Sequence, residues 1–407
     1  MNADPKNISI EHYDYPLPDE RIARYPMQER DQSKLLVYNN GLITEDSFSH
    51  LSDYLPPDSL IIFNETRVIH ARMIFRKESG TRIEVFCLEP ADSLDTQLAF
   101  QQKGSCIWRC LVGNAKRWKQ DRLVLNVKSE QQIVDVSVEK LERVDDTFLV
   151  RFSWEPEHMT FSEILEVAGH IPLPPYLERE DQPEDAITYQ TLFARNDGSV
   201  AAPTAGLHFT PRVIETLEKK NIEIARITLH VGAGTFHPVS AETLEGHQMH
   251  KEEVNVPLEI INKLIDYQYK NIILVGTTTV RTIESLYWQG LKWLSSEPVH
   301  PIMQVDQWDP YSIEPQSRIL ALEKLKEVLE KYHQPALRGT TSLLIAPGYS
   351  FQFPNLIITN FHQPKSTLLL LVSAFIGKGW RDAYDYALKN DFRFLSYGDS
   401  CLFFKKV

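Results

Sequence analysis

Two stretches, "NIILVGTTTVRTIESLYW" and "LIITNFHQPKSTLLLLVSAFIG", limit the fold more than anything else in the chain. In each, a short unbroken apolar run stops at small polar residues, and a longer segment with helical character follows. A strand that is apolar at every position is buried on both faces. That needs a mostly parallel sheet covered by helices. "SLIIFNETRVIHARM" and "IEIARITLHV" repeat the apolar run with a polar tip, so the expected class is α/β.

Between residues 72 and 155 the texture changes. "TRIEVFCLE", "CIWRCLVG", "DRLVLNV", "IVDVSVEKLERV" and "TFLVRFSW" are short, often alternating segments set between turn signals. They predict a small antiparallel β-barrel or sandwich with no convincing helix. The expected layout is a discontinuous large α/β domain, 1–71 and 156–407, carrying an inserted barrel, 72–155. After Trp154, Thr160 and Glu163 have capping-box spacing ahead of "ILEVAG", and Thr210–Pro211 reads as a helix start.

Composition removes several classes. With 43% hydrophobic and 24% charged residues over 407 positions, the chain is neither disordered nor short of core material. Its four cysteines include no CxxC, which favours a reduced, cytoplasmic setting. The polar N-terminus lacks an apolar signal region, and "LLLLVSAFIG" is too short to span a bilayer, so no membrane role is expected. A formal charge of -12 argues against purely electrostatic nucleic-acid binding, but a local basic groove is compatible with it. GxxxxGK[ST], HExxH and GxSxG are all missing, and "VGAGTF" is only superficially like GxGxxG. His247 and His250 form HxxH, which can put both rings on one helical face. No third ligand has metal-site spacing, so no metal is expected.

In an open α/β sheet, ligands bind beyond the carboxyl ends of the strands. The strand 60–63 ends at Asn64–Arg67. The strand 222–229 ends at His230, with Gly232, Gly234 and Thr235 beyond. The strand 271–275 ends at Gly276 and three threonines, with Arg281 and Glu284 on the next helix. A strand 343–346 ends at Pro347, and 356–358 ends at Thr359, Asn360, Phe361 and His362, followed by Lys365. Helix starts at Thr278 and Ser366 offer N–H groups to an anion. "AAPTAGLHFT", with Thr204, Gly206 and His208, adds small residues and one imidazole. The histidines 208, 230 and 237 suit proton transfer, although any of them can instead be a core histidine held by a backbone carbonyl. Basic runs hold Arg24, Arg72, Lys116, Arg117 and Lys119, near Tyr25, Trp108 and Trp118 in sequence. Cations among aromatics suit RNA, and solvated surface charge is the plain alternative.

Taken together, "YPLPDERIARYPMQERDQSKLLV", "FNETRVIHARM", "AGHIPLPPY", "YQTLFARNDGSVAAPTAGLHFT", "TLHVGAGTFHPV", "HQMHKEE", "VGTTTVRTIES", "TNFHQPKSTLLLLVSAF" and "RFLSYGD" resemble the S-adenosylmethionine:tRNA ribosyltransferase-isomerase family. The chain departs from the family's usual pattern at His70, at "KEEVNV" and at "LLIAPG", and the barrel region matches least. The resemblance implies a ribosyl transfer from S-adenosylmethionine, as co-substrate, to the aminomethyl-deazaguanine base preQ1 at the wobble position of a tRNA anticodon. Rearrangement to epoxyqueuosine and release of adenine and methionine follow, with no prosthetic cofactor.

Under this reading His208, His230 and Arg281 are catalytic candidates. Arg67, Thr204, Gly206, Gly232, Gly234, Thr235, Thr277, Thr279, Glu284, Asn360, His362 and Lys365 contact S-adenosylmethionine. Arg24, Arg72, Lys116, Arg117 and Lys119 contact RNA. If His208 transfers a proton, His208→Gln lowers turnover by roughly a hundredfold. An S-adenosylmethionine-dependent RNA methyltransferase and a noncatalytic RNA-binding protein are the alternatives. The sequence leaves oligomeric state open.

Overall fold

The structure is a computed structural model that describes residues 4–91, 96–119, 122–128, 132–232, 239, 241–296 and 299–406. Its spine is a ten-stranded sheet. Four central strands, Glu223–His230, Leu60–Asn64, Ile272–Val275 and Leu356–Asn360, are mutually parallel. The last three are buried at every position, as expected for strands covered on both faces.

On one side the sheet continues antiparallel through Glu252–Pro257 to Ala336–Thr341, and then parallel to Ile302–Val305. On the other side Ser400–Phe404 pairs antiparallel with Leu356–Asn360 and parallel with Lys34–Asn39, and Leu42–Ser47 closes the edge. The expected strand at 343–346 is not formed. The strand ends at Thr341, and Leu343–Ala346 run on as buried irregular chain. Apolar content alone does not separate a buried strand from a buried loop.

Helix Thr277–Leu294 crosses this sheet with nearly all of its residues buried. It packs on helix Arg318–Lys331 at Gly290, where a Cβ would lie 2.3 Å from the carbonyl oxygen of Ala321. Only glycine admits that approach.

A second sheet has six antiparallel strands in the order Arg72–Arg76, Arg82–Pro90, Ser105–Gly113, Thr147–Glu155, Ile133–Val144 and Leu123–Lys128. It curls until its first and last strands touch, giving a nearly closed barrel. Met73, Phe75, Val85, Val136, Val150 and Phe152 fill it. One short helix, Thr96–Phe100, interrupts the expected all-strand pattern. Helix Phe161–Ala168 plugs one side, and the rings of Trp108, Phe152 and Trp154 lie 5.2–5.6 Å from that of Phe161. Its capping box, Thr160 with Glu163, is formed as the spacing predicts.

All four cysteines are reduced and buried. No helix among the described residues is long and apolar enough to cross a membrane.

Candidate active site

A cavity opens where the parallel strands end. Its floor is built by two strand-to-helix turns. Strand Ile272–Val275 passes through Gly276 into helix Thr277–Leu294, and Gly276 sits at φ 87°, a conformation that side-chain-bearing residues rarely adopt. Strand Leu356–Asn360 passes through Phe361 and His362 into helix Thr367–Ile376. That helix is capped by Ser366, whose hydroxyl accepts from the N–H of Leu369 at 3.2 Å. The small residues Ala201–Ala205 form one wall. Tyr176, Tyr189, Leu395 and Ser396 form the other.

Two helix N-termini therefore meet at one cavity. The longer one has no side-chain cap, so its first amides stay available. Both carry partial positive charge, and no lysine or arginine lines the space. Thr278 Oγ1 and Asn360 Oδ1, both on lining residues, are buried with no hydrogen-bond partner among the described residues. Unpaired buried polar atoms are costly, which is the mark of a site kept ready for a ligand. His362 also lines the cavity, with Nε2 3.0 Å from Thr359 Oγ1, and burial pulls its pKa down to about 3.

Thr204, Thr277, Asn360 and His362 are thus brought together. The structure places the other expected contacts elsewhere. His208 lies one layer behind the cavity, with Nδ1 2.8 Å from Ser33 Oγ and Nε2 3.3 Å from Asn360 Nδ2. Burial, reinforced by Arg393, holds its pKa at about 3. Gly206 packs on the side chain of Thr191. Thr279 is fully buried beneath the helix start.

Arg281 does not face the cavity. It is buried in an ion pair with Glu252 at 3.0 Å. Glu284 points into the core instead, because its carboxylate accepts from Tyr349 Oη at 2.6 Å and from the amides of Gln352 and Phe353. Burial raises its pKa all the same. The ammonium of Lys365 is engaged by Glu11 and Asp14, at 2.8 and 3.2 Å.

His230 and Arg67 belong to a neighbouring rim. His230 Nδ1 is 2.9 Å from Thr66 Oγ1, and its ring covers Gly198 so closely that a Cβ there would lie 2.6 Å away. Arg67 is exposed and paired with Asp197 at 3.5 Å. Gly232 sits just past this strand. Gly234, Thr235 and His237 fall outside the described residues.

The HxxH tract is not helical, so its rings share no helix face. Gln307 spans its backbone instead, donating to the carbonyl of His247 and accepting from the amide of Met249.

Among the expected RNA contacts, Arg24 pairs with Glu178 and Arg72 with Glu84. Lys116, Arg117 and Lys119 are exposed on one turn of the barrel. Lys140 donates to the carbonyls of Ala115 and Trp118, and Lys77 to that of Arg117. The turn is thereby held from beneath. Trp108 and Trp118 are not stacking surfaces, since both are buried in the barrel core. Only Tyr25 is open, at 52% exposure, with one face on the guanidinium of Arg179. Alternation along Ser105–Gly113 marks Trp108 as inward-pointing, whereas Trp118 follows the turn Ala115–Arg117, outside any strand.

Tyr176, Tyr189 and Ser396 are lining residues that sequence reasoning missed. They arrive from loops and short turns with no polar strand tip, and the one available signal was that they lie within the tracts "AGHIPLPPY", "YQTLFARNDGSVAAPTAGLHFT" and "RFLSYGD".

Residues 10–403 match the family described as queuosine biosynthesis protein. The S-adenosylmethionine:tRNA ribosyltransferase-isomerase of Trichlorobacter lovleyi is 36% identical over 398 residues, 97% of this chain and 99% of that one. The protein of the same name from Halothermothrix orenii is 36% identical over 401 residues, with the same shares. A crystal structure of S-adenosylmethionine tRNA ribosyltransferase from Thermotoga maritima is 29% identical, covering 96% of this chain and 99% of that one, with a TM-score of 0.46.

Proposed function

The chain belongs to the queuosine biosynthesis protein family, and on that premise we propose that the cavity at the strand ends is its S-adenosylmethionine site. The protein is an enzyme of queuosine biosynthesis. It transfers the ribosyl part of S-adenosylmethionine, its co-substrate, to tRNA and isomerises it.

The observation that carries the site assignment is the meeting of two helix N-termini in a space that no lysine or arginine among the described residues lines. S-adenosylmethionine carries a carboxylate and a sulfonium. Helix amides hold the carboxylate without adding a full positive charge that would repel the sulfonium. The rings of Tyr176 and Tyr189 suit the adenine and the sulfonium. Thr204, Thr277, Asn360 and His362 supply the polar contacts. His230, with one ring nitrogen fixed by Thr66, remains our proton carrier at the adjoining rim.

The finer reading is that the acceptor is preQ1 at the anticodon wobble position and that the product is epoxyqueuosine. The mechanism requires loss of a proton beside the sulfonium, attack by a neutral amine, and departure of adenine. We further take 72–155 as an inserted domain that contributes to the tRNA surface, and the cytoplasm as the location, where such a tRNA would be met. In the test, the protein is incubated with S-adenosylmethionine and a preQ1-containing anticodon stem-loop. Adenine and methionine should appear one for one with modified RNA. Formation of S-adenosylhomocysteine without adenine would overturn the reading in favour of methyl transfer.

The barrel turn gives a second test. Arg117→Ala with Lys119→Ala should weaken tRNA binding and flatten the plot of log affinity against log salt by roughly 1.4–1.8, the value for two lost phosphate contacts. S-adenosylmethionine affinity should not change. An unaltered salt slope would make this turn ordinary solvated surface.

A further inference from the structure

We infer that His208 is a positioning residue. Through Asn360 it holds a hydrogen-bond acceptor facing into the cavity. This rests on the cavity reading above and deepens it.

Asn360 is fixed on three sides. Its Nδ2 donates to the carbonyl of Leu395 at 3.1 Å, approaches that of Ser396 at 3.5 Å, and lies 3.3 Å from His208 Nε2. Carbonyl oxygens accept only, so the amide nitrogen must face them, and Oδ1 is left on the other side. That oxygen is buried, unpartnered among the described residues, and belongs to a lining residue.

The same geometry sets the state of His208. Since Nδ2 is a donor, Nε2 must be the acceptor. The ring proton is then on Nδ1, donated to Ser33 Oγ at 2.8 Å. A doubly protonated ring would turn an N–H against the Asn360 amide. Burial among Phe48, Leu207 and Phe209 disfavours that charged form as well. The order is therefore Ser33, His208, Asn360, cavity. His208 exchanges no proton with the ligand. It keeps Asn360 from rotating, so that Oδ1 accepts from a ligand O–H or N–H, such as a ribosyl hydroxyl or an amino group.

The test is a double-mutant cycle read by S-adenosylmethionine affinity, with tRNA affinity as the check on folding. Asn360→Ala and His208→Leu should each weaken S-adenosylmethionine binding about tenfold. Combining them should cost no more than either alone. His208→Gln, which can accept from Asn360 and donate to Ser33, should stay within about threefold of wild type in both affinity and turnover. If His208→Leu fails to fold, Ser33→Ala replaces it, with a smaller loss that disappears in the Asn360→Ala background.

A hundredfold fall in turnover for His208→Gln, with binding intact, would overturn the inference and make His208 a proton carrier. Additive losses in the cycle would overturn it too. If neither Asn360→Ala nor a cavity-filling change alters S-adenosylmethionine affinity, the cavity assignment itself fails. If Asn360→Ala weakens binding while His208→Leu and Ser33→Ala do not, only the positioning role fails.

Discussion

Between pH 7.5 and pH 5 two buried histidines should take about 4 kcal/mol from the unfolding free energy, and His208→Gln should remove about half of that contribution. They are His208 and His362. Each has its pKa pulled by burial from the usual value to about 3 in the folded protein. In the unfolded chain both return to about 6.5. A depressed histidine pKa means that the folded state refuses a proton the unfolded state accepts. Stability from this source is complete above the unfolded pKa and is lost as pH falls toward the folded one. Asp31 and Asp185 titrate below this window, held under their ordinary range by Arg212 and Arg179 among other partners despite their burial, whereas Glu252 and Glu284, raised by burial, act in the opposite sense. Urea unfolding at several pH values reads the slope. A wild-type slope from pH 7.5 to 5 that His208→Gln leaves unchanged would mean that the His208 ring is not kept neutral by its surroundings.

Ala202→Phe should weaken S-adenosylmethionine binding by about a hundredfold or more while tRNA binding persists. Ala202 is a buried wall residue of the cavity, beside Pro203. Ala202 packs in the apolar cluster that holds Tyr189 and Leu207, so a benzyl group there has to push into the adjoining cavity or move its lining. Overpacking should cost about 1–3 kcal/mol of stability, so the folded protein can still be assayed. Ala202→Ser, nearly equal in volume, should bind normally. Calorimetric titration of the three proteins decides the matter. Near-normal binding by Ala202→Phe would move the ligand out of this cavity.

The parallel core was readable because burial on two faces leaves no polar position in Leu60–Phe63 or Ile272–Val275. The barrel was readable from alternation, seen in the burial of Arg82–Pro90 and Ser105–Gly113. Local chemistry also carried through: Thr210 caps Pro211–Glu218 by accepting from the amide of Val213. What the sequence could not give was the direction in which a polar side chain turns after a strand tip. Arg281 and Glu284 follow the threonines of the Thr277 helix closely, yet each pairs away from the cavity, one with Glu252 and the other with the Tyr349–Phe353 loop. Lys365 sits at φ 54°, and its ammonium goes to acidic residues of the N-terminal segment. Such partners are distant in sequence, and one-dimensional spacing has no access to them. For the same reason Ser396 and Tyr176, joined to each other at 2.6 Å, gave no signal of their own.

The place of Ser400–Phe404 has a consequence for synthesis. This strand, made after every other described strand of the main sheet, lies between Leu356–Asn360 and Lys34–Asn39. Until it arrives, the hairpin formed by residues 34–47 has no edge of the main sheet to join. Leu395 and Ser396, which anchor the Asn360 amide, come just before it. Until Ser400–Phe404 has left the ribosome, the nascent chain has an open sheet and an unfinished cavity. A chain that stops short of Ser400 should therefore lack the ability to take up S-adenosylmethionine, and ligand binding would report that translation has passed this strand.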